Sequence, residues 1–243
     1  MKRIFWLLLI ISVANVILAQ EWDSKSTEWY YPRPQTVTPA KTFGYPPSDA
    51  IVLFDGKDLS NWQTKAGEAA AWKIIDGELI IVPGSGHIYT KDYFGDCQIH
   101  IEFKIPVLEK NDIKHNSGNS GVHIQDKYEV QILDNDESMF VNGMIGSIYK
   151  QSAPLVNAYT KRGEWQVYDI YWTAPKFGTG GVLEAPAIIT VIMNGIVIHN
   201  HYVLKGHTTW KGFPDYQPHG RLPLRLGEHG DIVKFRNIWI RNL

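Results

Sequence analysis

The residues best suited to chemistry lie in one stretch, residues 118–134, with the sequence GNSGVHIQDKYEVQILD. The stretch predicts two β-strands, and successive side chains of a strand point to opposite faces. Val and Ile therefore face one way, while His123 and Gln125 on the first strand and Glu129 and Gln131 on the second face the other. Carboxyl and imidazole groups exchange protons, and amides hold hydroxyl groups. Because solvent-facing strands usually carry Thr, Lys or Ser, this set predicts the floor of a polar cleft.

The elements that position these residues are predicted to be strands. Asp76-Gly77 and Asn194-Gly195 each stand between two apolar runs, which indicates two β-hairpins. Residues 99–105 alternate between apolar and polar, and residues 166–173 and 232–241 are typical of further strands. No window of twelve residues has a convincing helical period. The predicted fold class is an all-β, antiparallel β-sandwich or jelly roll.

Two long segments between strands, residues 135–164 and 205–221, contain aromatic residues together with Gly and Pro. Long loops of compact domains are often functional. Tyr149 and Trp210 are the candidates from these loops to line the cleft. The alternative is that their aromatic residues only cover the ends of the sandwich.

The N-terminus has the pattern of an export signal. Lys2 and Arg3 precede an apolar run over residues 4–18, and small Ala19 follows. The pattern predicts a secretory signal peptide over residues 1–19, cleaved after Ala19. The alternative is a retained membrane anchor, for which the apolar run is short. We therefore expect export to the periplasm or cell surface of a bacterium.

The rest of the chain predicts an arm and one domain. Residues 20–48 are rich in Pro, Thr, Ser and Tyr and predict an extended N-terminal arm, while residues 49–243 predict a single domain. The formal net charge of −1 comes without a basic cluster, which argues against a nucleic-acid partner. No other segment is apolar enough to cross a membrane. The single cysteine, Cys97, excludes an internal disulfide and is expected to be buried in a strand.

A series of short motifs runs through residues 50–243. They include Leu53-Phe54-Asp55-Gly56, Asp76-Gly77-Glu78-Leu79, Asn119-Ser120-Gly121-Val122, Tyr128-Glu129-Val130-Gln131, Glu228-His229-Gly230 and Phe235-Arg236-Asn237-Ile238. In this order and spacing they resemble the 3-keto-disaccharide hydrolase domain family. The family usually has Gln-Asp-His-Gly near the C-terminus, where this chain has Gly227-Glu228-His229-Gly230.

The resemblance implies a concanavalin A-like lectin/glucanase sandwich and a carbohydrate substrate, a glycoside oxidised at carbon 3 of one sugar. The ketone acidifies the hydrogen on carbon 2, so a base can form an enolate that expels the group on carbon 1, and water adds afterwards. Such a route needs a base, a stabiliser for the enolate oxygen and an acid for the leaving group.

The resemblance makes Glu129, His123 and His229 the candidate catalytic residues, with Glu129 and His123 as acid and base. Arg236 or a bound cation such as Ca²⁺ is the candidate to stabilise the enolate, and no cofactor is otherwise expected. Seven residues are candidates to bind the substrate: Glu102, Asn119, Gln125, Gln131, Tyr149, Trp210 and Arg236.

Two other functions stay open. A conventional glycoside hydrolase needs two carboxyl groups across one cleft, about 5–9 Å apart, and Glu102 and Glu129 are predicted to lie on neighbouring strands with the same orientation. The glucanase-type acidic motif is broken at Gln131, which cannot ionise. A carbohydrate-binding module without catalysis is the other alternative, because one fold serves many functions.

Metal sites are weakly indicated. The turn Asp55-Gly56-Lys57-Asp58 offers oxygen ligands for Ca²⁺, although stabilisation of the turn is the simpler interpretation. His199 and His201 alternate on one predicted strand without an obvious third ligand, so no metal site is assigned.

Overall fold

The computed structural model describes residues 25, 28, 32–107, 117–134 and 141–243. The chain divides into two compact units, Met1–Thr36 and Val37–Leu243. In the first unit the backbone N–H of Glu28 donates to the carbonyl of Lys25 at 3.0 Å. The predicted signal peptide, residues 1–19, lies outside the described residues.

The second unit consists of strands, and the described residues contain one short 3₁₀ turn and no α-helix. The strands are β1 Ile51–Phe54, β2 Trp62–Gln63, β3 Lys73–Ile75, β4 Glu78–Ile80, β5 Ile88–Phe94, β6 Cys97–Lys104, β7 Ser120–Ile124, β8 Tyr128–Ile132, β9 Gln166–Thr173, β10 Lys176–Phe177, β11 Leu183–Ala185, β12 Ile188–Met193, β13 Ile196–Val203, β14 Leu222–Leu226 and β15 Lys234–Asn242. No helix in the described part of the chain is long and apolar enough to cross a membrane.

Two antiparallel sheets form the sandwich. The larger, eight-stranded sheet has the order β13-β12-β9-β6-β15-β4-β3, with β1 paired to β15. The smaller, five-stranded sheet has the order β2-β5-β14-β7-β8. A separate two-stranded pair is formed by β10 and β11. The predicted all-β sandwich is therefore confirmed.

Both predicted hairpins are present, between β3 and β4 and between β12 and β13. Asp76 and Gly77 have φ values of 52° and 76°, and Asn194 and Gly195 have 52° and 82°. Positive φ at both central residues is the requirement of a type I′ turn, which matches the twist of the strands that it joins. The dipeptides thus set the register of both hairpins.

The core lies between the two sheets and is filled by the apolar side chains of alternating strand positions. Tyr128 of β8 packs on Trp172 of β9 with ring centroids 4.8 Å apart. The hydroxyl of Tyr168 on β9 donates to the carbonyl of Gln131 on β8 at 2.8 Å. These contacts fix the two sheets face to face.

The strands β7 and β8 are adjacent, and His123 lies opposite Glu129 in their register. Val122, Ile124 and Val130 are buried in the core, so His123 and Glu129 project from the opposite face of the five-stranded sheet, as predicted. Sheet order alone would leave β8 at an edge. Residues 145–149 run beside it, with backbone bonds that join Gln131 to Ser147 and Gly146 and Tyr149 to Glu129.

The prediction for Gln125 is wrong, because β7 ends at Ile124 and Gln125 begins the turn with φ 50°. Its amide donates to the carbonyl of Phe94 at 2.9 Å and accepts from the indole of Trp172 at 3.2 Å. Gln125 is thus a buried structural residue.

Part of the predicted N-terminal arm packs on the strands. Residues 37–48, assigned to an arm, belong to the second compact unit. The carbonyl of Gly44 accepts hydrogen bonds from the side chains of Trp239 and Asn237, both at 2.9 Å. This segment therefore packs on β15.

Candidate functional site

A cavity of about 420 Å³ opens on the face of the five-stranded sheet that points away from the core. We call it the catalytic pocket, after the candidate catalytic residues that line it. Its described lining residues are Asn119, His123, Glu129, Gln131, Tyr149, Thr208, Trp210, Arg225 and His229. Three catalytic candidates and four of the seven substrate-binding candidates thus meet in one place.

The floor of the pocket is the pair His123 and Glu129. Nε2 of His123 lies 3.4 Å from Oε2 of Glu129, and both side chains are more than 90% buried. Nδ1 of His123 is 3.4 Å from the carbonyl of Gly121. A carboxylate next to an imidazole in a site with little water interacts more strongly than it would in solution, which suits the pair to proton transfer.

Two glycines, which have no side chain, provide the space that His123 and Glu129 occupy. A Cβ on Gly121 would lie 2.4 Å from Oε1 of Glu129 and 3.0 Å from Cε1 of His123. A Cβ on Gly227 would lie 3.3 Å from Nε2 of His229 and 3.4 Å from Cε1 of His123. Because neither glycine has a positive φ, their role is steric.

The two long loops complete the pocket and hold Glu129 in place. The backbone N–H of Glu129 donates to Oγ1 of Thr208 at 2.9 Å, and the N–H of Tyr149 donates to the carbonyl of Glu129 at 3.1 Å. Trp210 is 74% exposed at the mouth, with the Lys211 ammonium 4.4 Å from its ring centroid. The prediction that these loops line a cleft is confirmed for the described residues.

His229 also lines the pocket, on the loop that follows β14. Burial lowers its pKa, as do His123 and Arg225, although Glu129 acts in the opposite direction. The ring of His87 lies behind it, with centroids 5.4 Å apart. Burial and the nearby positive groups lower the pKa of His87 to about 4.

Glu228 holds the loop that carries His229. Its Oε1 accepts from the backbone N–H of Gly84 at 3.1 Å and of Gly230 at 2.6 Å. Its own N–H donates to Nδ1 of His87 at 2.9 Å. The carboxylate at this departure from the usual family motif thus serves as an acceptor for backbone groups.

Arg225 of β14 is the cation of the pocket, and the sequence reasoning missed it. Its Nε is 2.5 Å from Oδ1 of Asp126 and forms an ion pair with it. The N–H does not point at this oxygen, so the contact is not a hydrogen bond. The alternation of leucines in Leu222–Leu226 would have placed Arg225 opposite the core, but Pro223 hides the strand pattern. Arg225 pairs with His123 in the register of β14 and β7, which brings it to the site.

Amide groups supply the remaining polar surface. Oε1 of Gln131 is buried without a hydrogen-bond partner among the described residues, and its Nε2 donates to the carbonyl of Gly143 at 3.3 Å. Asn119 lies at the rim, where its backbone N–H donates to Asp231 at 3.0 Å. A free acceptor in a polar pocket matches a hydroxyl donor on a ligand.

Glu102 and Arg236 do not line this pocket, and the prediction that Glu102 and Glu129 lie on neighbouring strands is wrong. Glu102 is on β6 and Arg236 on β15, opposite each other in the eight-stranded sheet. Burial raises the pKa of Glu102, but hydrogen bonds from His100, Asn237 and Arg236 lower it to about 2. Alternation identifies the face of a strand but not its sheet, which is why both residues were misplaced.

Other candidates have structural surroundings. Cys97 is buried, and burial raises its pKa to about 12. Oδ1 of Asp55 accepts from the N–H of Lys57 at 3.2 Å, and the ammonium of Lys57 pairs with the same carboxylate, which stabilises the turn. His199 is buried with Nε2 2.8 Å from the carbonyl of Gly146, and His201 is exposed. The described residues contain no group of three or more His, Cys, Asp or Glu suited to a metal ion.

Comparisons with known proteins identify the family of this chain. The model of the 3-keto-alpha-glucoside-1,2-lyase-like domain matches residues 49–241. A proposed glycosyl hydrolase from Parabacteroides distasonis is 47% identical, with a TM-score of 0.83 over 91% of this chain and 97% of that chain. A second proposed glycosyl hydrolase from the same organism, 21% identical, covers 80% of this chain and 94% of its own, with a TM-score of 0.60, and shares the fold. Curated proteins gave no significant match.

The family match covers most of the chain and the whole catalytic pocket. The 47% identical structure independently indicates a carbohydrate-active role. The chain therefore belongs to the family of 3-keto-alpha-glucoside-1,2-lyase-like domains.

Proposed function

We propose that this protein is an exported enzyme that cleaves the glycosidic bond of a 3-keto-glycoside by elimination across carbons 1 and 2. The observation that carries the proposal is the composition of the catalytic pocket. Among its described lining residues Glu129 is the single carboxylate, and it lies beside His123, His229 and Arg225. This set suits the removal of an acidic hydrogen and the stabilisation of an enolate.

The reaction balances without a redox partner. A base takes the proton from carbon 2, and its electron pair forms the carbon 1–carbon 2 double bond through the enolate as the carbon 1–oxygen bond breaks. The leaving oxygen takes a proton from an acid, so the products are an unsaturated 3-keto-sugar and an alcohol. Water then adds to the double bond where the overall reaction is hydrolysis.

The roles follow from the positions in the pocket. Glu129 removes the proton, and His123, 3.4 Å away, orients Glu129 and takes part in the proton transfer. His229 lines the same pocket and is the candidate acid, because burial lowers its pKa and makes its protonated form a stronger proton donor to the leaving oxygen. Arg225 replaces Arg236 as the group that stabilises the enolate oxygen. Gln131, Asn119 and Tyr149 hold sugar hydroxyls.

The two alternatives fit the pocket less well. Conventional retaining or inverting chemistry uses a pair of carboxyl groups, whereas Glu102 lies on the other sheet. A simple binding module has no need for a carboxylate buried beside an imidazole, since burial of ionisable groups is costly. Export is proposed from residues 1–19 alone, and a mature N-terminus at Gln20 on the secreted protein tests it.

The experiment uses 4-nitrophenyl 3-keto-α-glucoside, its unoxidised parent and a 3-keto substrate deuterated at carbon 2. We expect release of nitrophenol from the keto compounds alone, with deuterium lost to the solvent faster than in an enzyme-free control. Glu129→Gln is expected to lose about 10²–10⁴-fold in kcat. Exposed Glu68 supplies the matched control, Glu68→Gln, which keeps full activity.

Each contrary result has a distinct meaning. Equal cleavage of the parent supports a conventional glycosidase. Retention of deuterium at carbon 2 in the product excludes elimination. No cleavage of any compound, with sugar binding intact in wild type and Glu129→Gln, identifies a binding module.

A further inference from the structure

A second groove, with a volume of about 640 Å³, lies on the eight-stranded sheet. We call it the outer groove. It is larger than the catalytic pocket and shares none of its described lining residues. Its volume is within the range of small-molecule sites, roughly 300–1,000 Å³. Its lining includes Phe43, Tyr45, Glu102, Arg236 and Asn237.

One wall of the outer groove consists of exposed aromatic rings. Phe43 is 94% exposed and Tyr45 is 59% exposed. The chain between them is fixed, because the Gly44 carbonyl accepts from both Trp239 and Asn237 at 2.9 Å. Solvent-exposed aromatic rings on a backbone that is held in place indicate an interaction surface.

The floor of the outer groove is polar and held in place. Oε2 of Glu102 accepts from Nε of Arg236 at 2.6 Å, and Oε1 accepts from Nδ2 of Asn237 at 2.8 Å. The Arg236 guanidinium also stacks 4.1 Å from the ring centroid of Trp165. The Arg236 side chain lines the groove and is 46% exposed, so a ligand can reach it.

A buried network supports this floor from below. Nδ1 of His100 is 2.6 Å from Asp169, and its ring is stacked on Trp239 with centroids 5.2 Å apart. Nε2 of His100 is 3.2 Å from Nδ2 of Asn237. A second layer of contacts that locks the polar groups is what a preorganised binding site requires.

We propose that the outer groove binds a neutral saccharide chain at a site separate from the catalytic pocket. A sugar ring has an apolar C–H face and a rim of hydroxyl groups, so it needs a flat aromatic partner and adjacent donors and acceptors. Phe43 and Tyr45 supply the first, and Arg236, Asn237 and Glu102 supply the second. Because Glu102 pairs with Arg236, and Asp55, the other charged residue that lines the groove, pairs with Lys57, the groove favours an uncharged ligand. The inference does not depend on the reaction in the catalytic pocket.

The test is an NMR titration of ¹⁵N-labelled protein with maltohexaose and, separately, cellohexaose. The indole N–H of Trp239 reports on the outer groove through its bond to Gly44, and the indole N–H of Trp210 reports on the catalytic pocket. We expect saturable shifts of Trp239 with at least one hexasaccharide. Phe43→Ala and Tyr45→Ala are expected to weaken this binding about tenfold each. Phe213, which is 97% exposed and lines neither cavity, gives the matched control Phe213→Ala, with unchanged binding.

Three outcomes overturn the proposal. One is the absence of Trp239 shifts with either sugar up to about 10 mM. Another is a response confined to Trp210, which places all binding in the catalytic pocket. The third is a dimer in analytical ultracentrifugation that Phe43→Ala dissociates, which makes the groove a subunit interface. Since the two reporters are separate, failure here is distinguishable from failure of the proposed reaction.

Discussion

The substitution Gly121→Ala tests the geometry of the site without removing any functional group. The new Cβ would lie 2.4 Å from Oε1 of Glu129, 3.0 Å from its Cγ and 3.0 Å from Cε1 of His123. Ordinary contacts between carbon atoms are about 3.5–4.0 Å, so the carboxylate of Glu129 has to move by roughly 1 Å. The strand backbone itself is free of strain, because Gly121 has no positive φ.

The expected loss of activity follows from this displacement. A misplacement of about 1 Å in a catalytic group costs on the order of 100-fold in rate. The corresponding increase in activation free energy is about 2.7 kcal/mol. Crowding costs about 1–3 kcal/mol of stability, and the better fit of Ala than Gly in a strand offsets roughly 0.5–1 kcal/mol of that. Activity should therefore fall far more than stability.

The assay is nitrophenol release from the 3-keto-glucoside, with thermal unfolding measured on the same samples. Gly95→Ala is the matched control, since a Cβ there meets its nearest neighbour, Cγ of Arg221, at an ordinary 3.7 Å. The control should behave like wild type in both measurements. A Gly121→Ala enzyme with kcat/KM within about twofold of wild type would refute the placement of Glu129 as the catalytic carboxylate.

Three further predictions concern the groups around the pocket. Folding lowers the pKa of His87 from 6.5 to about 4. Its contribution to the free energy of unfolding is therefore complete above pH 6.5 and is lost as the pH falls from there to about 4. Tm should drop over this pH range, and the drop should be smaller in His87→Gln. Thr208→Val leaves the N–H of Glu129 without its acceptor and should cost about 1–3 kcal/mol in urea unfolding, while Thr208→Ser should be close to wild type. Glu228→Ala should lower kcat by freeing the loop of His229, whereas Glu228→Gln keeps an acceptor oxygen and most of the activity; equal losses in both variants would contradict a positioning role.

Much of the fold was predictable because turns and strand faces are determined by residues close together in the sequence. The Asp-Gly and Asn-Gly dipeptides require positive φ, and alternation of apolar residues determines which face of a strand is buried. The same alternation placed His123, Glu129 and Gln131 on one surface, and the pairing of β7 with β8 brings them together.

The misplaced residues depended on information that is not local. Glu102 and Glu129 both alternate correctly with the core, but strand order puts them on different sheets. Arg225 was missed because Pro223 obscured its strand, and Gln125 because the strand ended one residue earlier than the alternation suggested. The sheet to which a strand belongs depends on contacts between distant parts of the chain, and these contacts cannot be read from a single sequence.

The segment 145–149 beside β8 both helps to form the catalytic pocket and covers a strand edge. Its backbone bonds satisfy the open edge of the five-stranded sheet at Glu129 and Gln131. Exposed strand edges are adhesive, because their free N–H and C=O groups pair with other chains. Detachment of the segment would therefore open the catalytic pocket and create a sticky edge in the same event. Heat inactivation and aggregation of this protein should begin together.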